Sequence, residues 1–529
     1  MPNRVQEYYV EMDDGVKLYT FCILPENAEK VPVIIFRSPY YQAEPVDKEA
    51  LEKQELHGYG FVQQHCRGTG MSEGECIPYI NERNDGLKLL EWVRQQEFYN
   101  GEIFLCGGSY GASVHYSYMD TDPADVKGAF LAVQDSERYN IIYRNGFFKP
   151  GLHGNWAVGM YRKKAISKKN LVPETWLTRP LTGITESIFG ELDHQLENEL
   201  LHPDRSSGFW KKTEGGSDYS DVLNKCTFPV CMTTAWYDIY TGGVLDIWES
   251  LPEERKKNCA LAVTPFMHAY NTLPDDPDYP ECPGGLISEN MQLENTAVAW
   301  FDHIRKGSEL EFFEKGKVKY YTLWENQWHA VSDIQNGAVK HDFYLTQERT
   351  LAAEAGSGSI TYLYNPVAPA AFKGGCCHNF YGLQLQDAPS SRYDIISFVS
   401  DELEEMVCTG KMELQIEVSS TAPDTCFYAR VDIVKGEKTY PLRDDIDSIC
   451  RTVPEFLPGA KAVLKFRFEH HSFRIGKGDR LRLDISSSCF PHFLVHPNRK
   501  GNIAEQNGSD MARNTVFMEN SRLSIYCDR

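Results

Sequence analysis

The sequence has no uninterrupted apolar run near the ~18 residues needed to cross a bilayer, so no helical membrane span is expected. Its first residues, Met1 to Glu7, have no apolar core of the kind an export signal carries. Positive charge is also short. The 54 Lys and Arg face 75 Asp and Glu, for a net charge of −21. Nucleic acid binding needs a basic patch, and an anionic membrane surface would repel such a chain, so neither partner is expected. No Cys-x-x-Cys pair occurs, so no metal and no cofactor is expected. Repeats and low-complexity blocks are absent as well. The 15 cysteines include Cys106, Cys231 and Cys259 inside apolar strand-like runs, where a thiol behaves as a small hydrophobe. Without an export signal they read as reduced thiols in a cytoplasmic protein.

What is present is an ordinary soluble composition, 42% apolar and 24% charged, over 529 residues. That length exceeds what one hydrophobic core sustains, so two or three domains are expected. From Glu7 to Val133, strand-like runs such as Val31–Phe36 and Ile103–Cys106 alternate with helical spacing over Asn84–Gln96. Such alternation predicts an α/β domain with a parallel sheet covered on both faces. Between about 138 and 225 the strand signal fades, and a mainly helical insertion is expected. The sheet resumes at Phe228–Trp236 and Cys259–Pro265, followed by an amphipathic helix over Ser288–Lys306. After about Val318 short alternating strands take over, which predicts an all-β sandwich. The expected divisions are 1–137 and 226–316 for the two parts of the α/β domain, 138–225 for a helical cap, and 317–529 for the β domain.

The chemistry centres on Gly107-Gly108-Ser109-Tyr110-Gly111, a Gly-x-Ser-x-Gly pattern set between a strand and a helix. The pattern is either a plain turn or the nucleophile elbow of an α/β-hydrolase, a turn so tight that glycines must flank the serine, and the rest of the chain decides between them. A serine hydroxyl needs a base to take its proton, and the base needs an acid to hold its tautomer. In this fold they follow in the order Ser, Asp or Glu, His. Asp238 comes just after the strand ending at Trp236-Tyr237, and His268 just after the one ending at Thr264-Pro265. Both sit past strand C-termini, where open α/β sheets keep their sites. His115 and His65 compete as bases. The first shares a helix with the elbow and cannot easily reach Ser109, and the second breaks the order.

Several segments make the resemblance specific. Arg37-Ser38-Pro39-Tyr40, Gly58-Tyr59 through Arg67-Gly68, Ser72-Glu73-Gly74 and Trp236-Tyr237-Asp238 are similar to segments of the family that joins cocaine esterase, X-Pro dipeptidyl-peptidases and α-amino-acid ester hydrolases. In the β region Ser419–Thr425 and Ser486–Pro491 match too. The resemblance runs from about residue 7 to the C-terminus. It implies an α/β-hydrolase domain with a helical cap and a C-terminal jelly roll. It also implies acyl transfer with Ser109 as nucleophile, His268 as base and Asp238 as its orienter. Tyr40 and the backbone N–H of Tyr110 would form the oxyanion hole. Tyr240 resembles an aromatic wall of the acyl pocket, and Trp156 is either a second wall or cap core.

The expected partner is a small ester, amide or short peptide, and a homo-oligomer is allowed but not required. An esterase leads, because no carboxylate follows Asp238 closely to bind a free amine. The alternative enzyme is an X-Pro dipeptidyl aminopeptidase, with Glu186 or Asp193 of the cap receiving the amine. Outside enzymes, the alternative is a ligand-binding protein with an inert hydrolase domain.

Overall fold

The computed structural model describes residues 2–134, 137–160, 172–190, 192–211, 221–268, 293–376, 382–388 and 392–528. The chain opens with a hairpin of β1 (Arg4–Glu11) and β2 (Lys17–Leu24), turning at Gly15 with φ near 85°. Then come β3 (Val31–Ser38), β4 (Gly60–His65), α1 (Glu82–Arg94), β5 (Tyr99–Gly108), α2 (Tyr110–Met119) and β6 (Val126–Ala132). β3 is buried along nearly its whole length, as expected of a continuous apolar run covered on both faces. α1 turns Leu89, Leu90 and Val93 onto the sheet, and all ten residues of α2 are buried.

The segment that follows holds short helices, α3 (Arg138–Ile142), α4 (Asn155–Met160) and α5 (His194–Leu201). It also holds a small hairpin, β7 (Tyr143–Arg144) with β8 (Phe147–Phe148). The hairpin is a small β element within a segment expected to be mainly helical. Tyr143 pairs with Phe148 across the strands, and Phe147 packs on His496 of the β-rich part, so all three rings are buried. The main sheet resumes with β9 (Val230–Tyr237) and β10 (Cys259–Met267), and α6 (Leu293–Lys306) packs Trp300 and Phe301 against Phe104 and Phe130. The helix was expected from Ser288, but residues 288–292 lie outside the described ones.

Next come β11 (Val318–Thr322) and β12 (Gln327–Val331). Among the described residues the first sheet has the order β1-β2-β4-β3-β5-β6-β9-β10-β11-β12, parallel from β4 to β11. Here the structure corrects the sequence reading, which assigned Val318 onward to the β domain. Leu261 pairs with Val318 and Val263 with Tyr320, so the α/β sheet continues through β11 and, antiparallel, β12. α6 supplies the crossover that returns the chain parallel to β10.

From Val339 onward the chain is β-rich. A second sheet is organised on the sixteen-residue strand Ala512–Cys527, which pairs with Val339–Leu345, Ser359–Tyr364, Met406–Gly410 and Glu413–Ser420. The register places Cys408 opposite Cys527, and the two form a disulfide. This differs from the expectation that every thiol is reduced. Periodicity places a cysteine on a strand face but does not choose the strand opposite. No helix among the described residues is long and apolar enough to cross a membrane.

Candidate active site

Ser109 sits between β5 and α2 with φ 54° and ψ −127°, a region that side chains avoid unless the surroundings enforce it. The enforcement is visible. Its N–H donates to Ala132 O at 2.9 Å, tying the turn to β6. A Cβ on Gly107 would lie 2.1 Å from Gly111 O, and one on Gly111 would press on Arg37 O at 3.3 Å. Both flanking glycines are therefore dictated by close approach of backbone to backbone.

Asp238 follows β9 directly and is fully buried. Its Oδ1 lies 2.8 Å from His268 Nδ1, and its Oδ2 accepts from Thr234 Oγ1 at 2.9 Å. The carboxylate is thus aimed by the strand that precedes it. His268 follows β10, and its Nε2 lies 3.0 Å from Ser109 Oγ. Three strand ends far apart in sequence bring these atoms into one hydrogen-bonded chain. With an ionised carboxylate accepting at Nδ1, the imidazole presents Nε2 as the acceptor for the serine proton. The competitors point elsewhere. His115 is bound to Cys106 O and Tyr118 Oη, and burial pushes it down to about 3. His65 Nδ1 accepts from Met71 N, and burial holds it near 4.

The two expected oxyanion donors flank the serine. Tyr110 is the first residue of α2, where a backbone N–H has no intrahelical acceptor. Tyr40 lies in the loop after β3, where Trp156 Nε1 donates to its hydroxyl at 3.2 Å. Tyr40 is 47% exposed as a residue, but the packing around its hydroxyl raises its pKa against hydrogen bonds from Trp156 and Ser109, so the phenol stays protonated and able to donate. Both positions are braced from behind by Glu82. This buried carboxylate accepts from Tyr110 Oη at 2.9 Å and pairs with the buried Arg37 at 3.0 Å. Arg37 is the penultimate residue of β3, the strand from which the Tyr40 loop departs.

Ser109, His268, Tyr40 and Tyr110 open on a cavity of about 320 Å³. Tyr240 and Trp156 line it, with Tyr79, Ile141, Leu152, His153 and Ile239. The described lining contains no carboxylate. Asp193 instead caps α5, accepting from Gln195 N and Leu196 N, and Glu186 is exposed. His153 and Glu82 were not singled out in the sequence. A lone His in an aromatic stretch and a Glu at a helix start carry no pattern that separates them from surface residues.

Two family models match in succession. The X-Pro dipeptidyl-peptidase (S15 family) model covers residues 14–270, and the X-Pro dipeptidyl-peptidase C-terminal non-catalytic domain covers 312–524. The chain belongs to the S15 family of serine hydrolases. Cocaine esterase of Rhodococcus sp. (strain MB1 Bresler) is 23% identical over 558 aligned positions, covering 95% of this chain and 94% of that protein. An aminopeptidase from a marine sediment Thaumarchaeota archaeon superposes with a TM-score of 0.82 at 17% identity, covering 100% of this chain and 97% of that one. An α-amino acid ester hydrolase superposes with a TM-score of 0.80 at 16% identity, over 99% and 97% of the two chains. At such identities the structural likeness is one of fold. Proteins named as an aminopeptidase and as an ester hydrolase therefore share this fold, which does not choose between the two activities.

Proposed function

We propose that this S15 protein is an esterase for small uncharged acyl groups, with Ser109 as nucleophile, His268 as general base and Asp238 as the residue that orients His268. Ser109 Oγ would attack the ester carbonyl as its proton passes to His268 Nε2. The tetrahedral oxyanion would be held by the Tyr40 hydroxyl and the Tyr110 N–H. His268 would return the proton to the departing alcohol, leaving an acyl-enzyme on Ser109. A water deprotonated by His268 would then release the acid and restore the serine. The segment 138–225 would act as the cap that roofs the acyl group, with Tyr240 and Trp156 as its aromatic walls. A cytoplasmic setting is proposed with it, on the buried free thiols that outnumber the one disulfide among the described residues, Cys408–Cys527, which weighs the other way.

One observation carries the choice of ester over X-Pro peptide. A dipeptidyl substrate brings a free ammonium into the cavity, and a buried cation needs a paired anion. Among the described lining residues there is none. The test is intact-mass labelling with a fluorophosphonate on the wild type and on Ser109→Ala, followed by p-nitrophenyl esters against a Xaa-Pro anilide. One adduct on the wild type, none on the variant, and turnover of esters over the anilide are expected. An unlabelled, folded wild type would favour the inert binding protein. Faster turnover of the anilide would favour the aminopeptidase.

A further inference from the structure

The cavity wall holds a polar atom that acyl transfer does not use. His153 lies in the helical turn Pro150–Gly154, is 1% exposed and lines the cavity. Its Nε2 lies 2.7 Å from Glu199 Oε2. Glu199, on α5, is itself fully buried and is also paired with Arg138. A carboxylate held by a guanidinium is ionised and can only accept, so Nε2 must carry the proton. Burial and the charges of Arg138 and Lys149 keep the imidazole neutral, well below its ordinary range. The other nitrogen, Nδ1, is then a bare acceptor, and no hydrogen bond reaches it among the described residues.

We propose that the cavity selects acyl groups whose far end carries a hydroxyl, which donates to His153 Nδ1. This rests on the acyl-transfer reading and names its substrate class, hydroxyacyl esters. An alkyl tip would leave Nδ1 buried and unpaired against an otherwise apolar wall, a recognised source of discrimination. An ammonium tip could donate to Nδ1 but would meet the positive charge of Lys149, because Arg138 and Glu199 offset one another.

The experiment compares p-nitrophenyl esters in matched pairs: 3-hydroxypropanoyl with butanoyl, and 4-hydroxyphenylacetyl with 4-methylphenylacetyl. A 3-aminopropanoyl ester supplies the cation. For the wild type, kcat/KM is expected to favour the hydroxyl at least about tenfold in one pair or the other, with the amino ester slowest. In His153→Phe, which keeps a ring but no acceptor, that preference should vanish while fluorophosphonate labelling of Ser109 persists. Should this variant fail to fold, the wild-type ratios decide alone. A labelled wild type with ratios below tenfold in both pairs, or one fastest on the amino ester, overturns the inference and leaves the acyl-transfer reading intact. An unlabelled wild type overturns both.

Discussion

Tyr40 carries the most exposed part of the proposed chemistry. Its phenol is held between Trp156 and Ser109 rather than by a rigid backbone group. If it binds the oxyanion, its interaction exists only once the carbonyl oxygen becomes charged. Tyr40→Phe should then lower kcat about 10²-fold, on the order of 3 kcal/mol, and leave KM nearly unchanged in steady-state assays of a good ester. A loss confined to KM would make Tyr40 a wall of the cavity and nothing more. The residues of the hydrogen-bonded chain were legible in the sequence because each follows a strong strand at its C-terminal end. His153 and Glu82 were not, because their partners Glu199 and Arg37 stand 46 and 45 positions away.

At the scale of elements, the elbow is where sequence pattern and geometry agree most tightly. Gly107→Ala would place a methyl 2.1 Å from Gly111 O, against backbone that cannot rotate away. The strand and helix would have to separate, at a cost of about 3 kcal/mol of stability, and Ser109 would leave its place below His268. Urea denaturation should show the loss, and the labelling rate should fall further than stability alone explains. Unchanged labelling would mean that the elbow tolerates wider spacing than its packing implies. β11 shows the opposite case. Its alternating pattern fits a strand of either sheet, and only α6, by setting the direction of return, delivers it beside β10.

The whole molecule joins its two sheets behind the proposed acid. Arg443 of the β-rich part donates to Trp236 O, and Tyr237 Oη donates to Pro441 O at 2.8 Å, so one strand of that part, Lys438–Ser448, holds the end of β9 next to Asp238. The fold also buries neutral histidines. Burial holds His65 and His492 near 4 and His115 near 3, against ~6.5 in an unfolded chain. As pH falls the unfolded chain takes up these protons first. The stability is complete above about pH 6.5 and is lost progressively towards pH 4. Asp432, pushed up to about 6 by burial, works the other way, because its unfolded carboxyl ionises first and its cost is relieved on acidification. Burial also holds His153 and His471 down and raises Asp246, Asp445 and Asp447, so among the described residues five histidines stand against four carboxyls. The urea midpoint should therefore drop between pH 7 and pH 4.5, and His492→Gln should flatten the slope. A flat profile in the wild type would show that these histidines are protonated in the folded protein.

By itself the sequence determined the elements of the α/β sheet, the elbow and the order Ser109, Asp238, His268, because hydrophobic runs and turn chemistry are local properties of the chain. It also determined the family, through short segments spread from Arg37 to Pro491. Tertiary structure alone decided which sheet received β11, which cysteine faced Cys527, and which polar atoms reached the cavity wall. These are pairings between distant residues, and periodicity records which face a side chain occupies but not what stands opposite it.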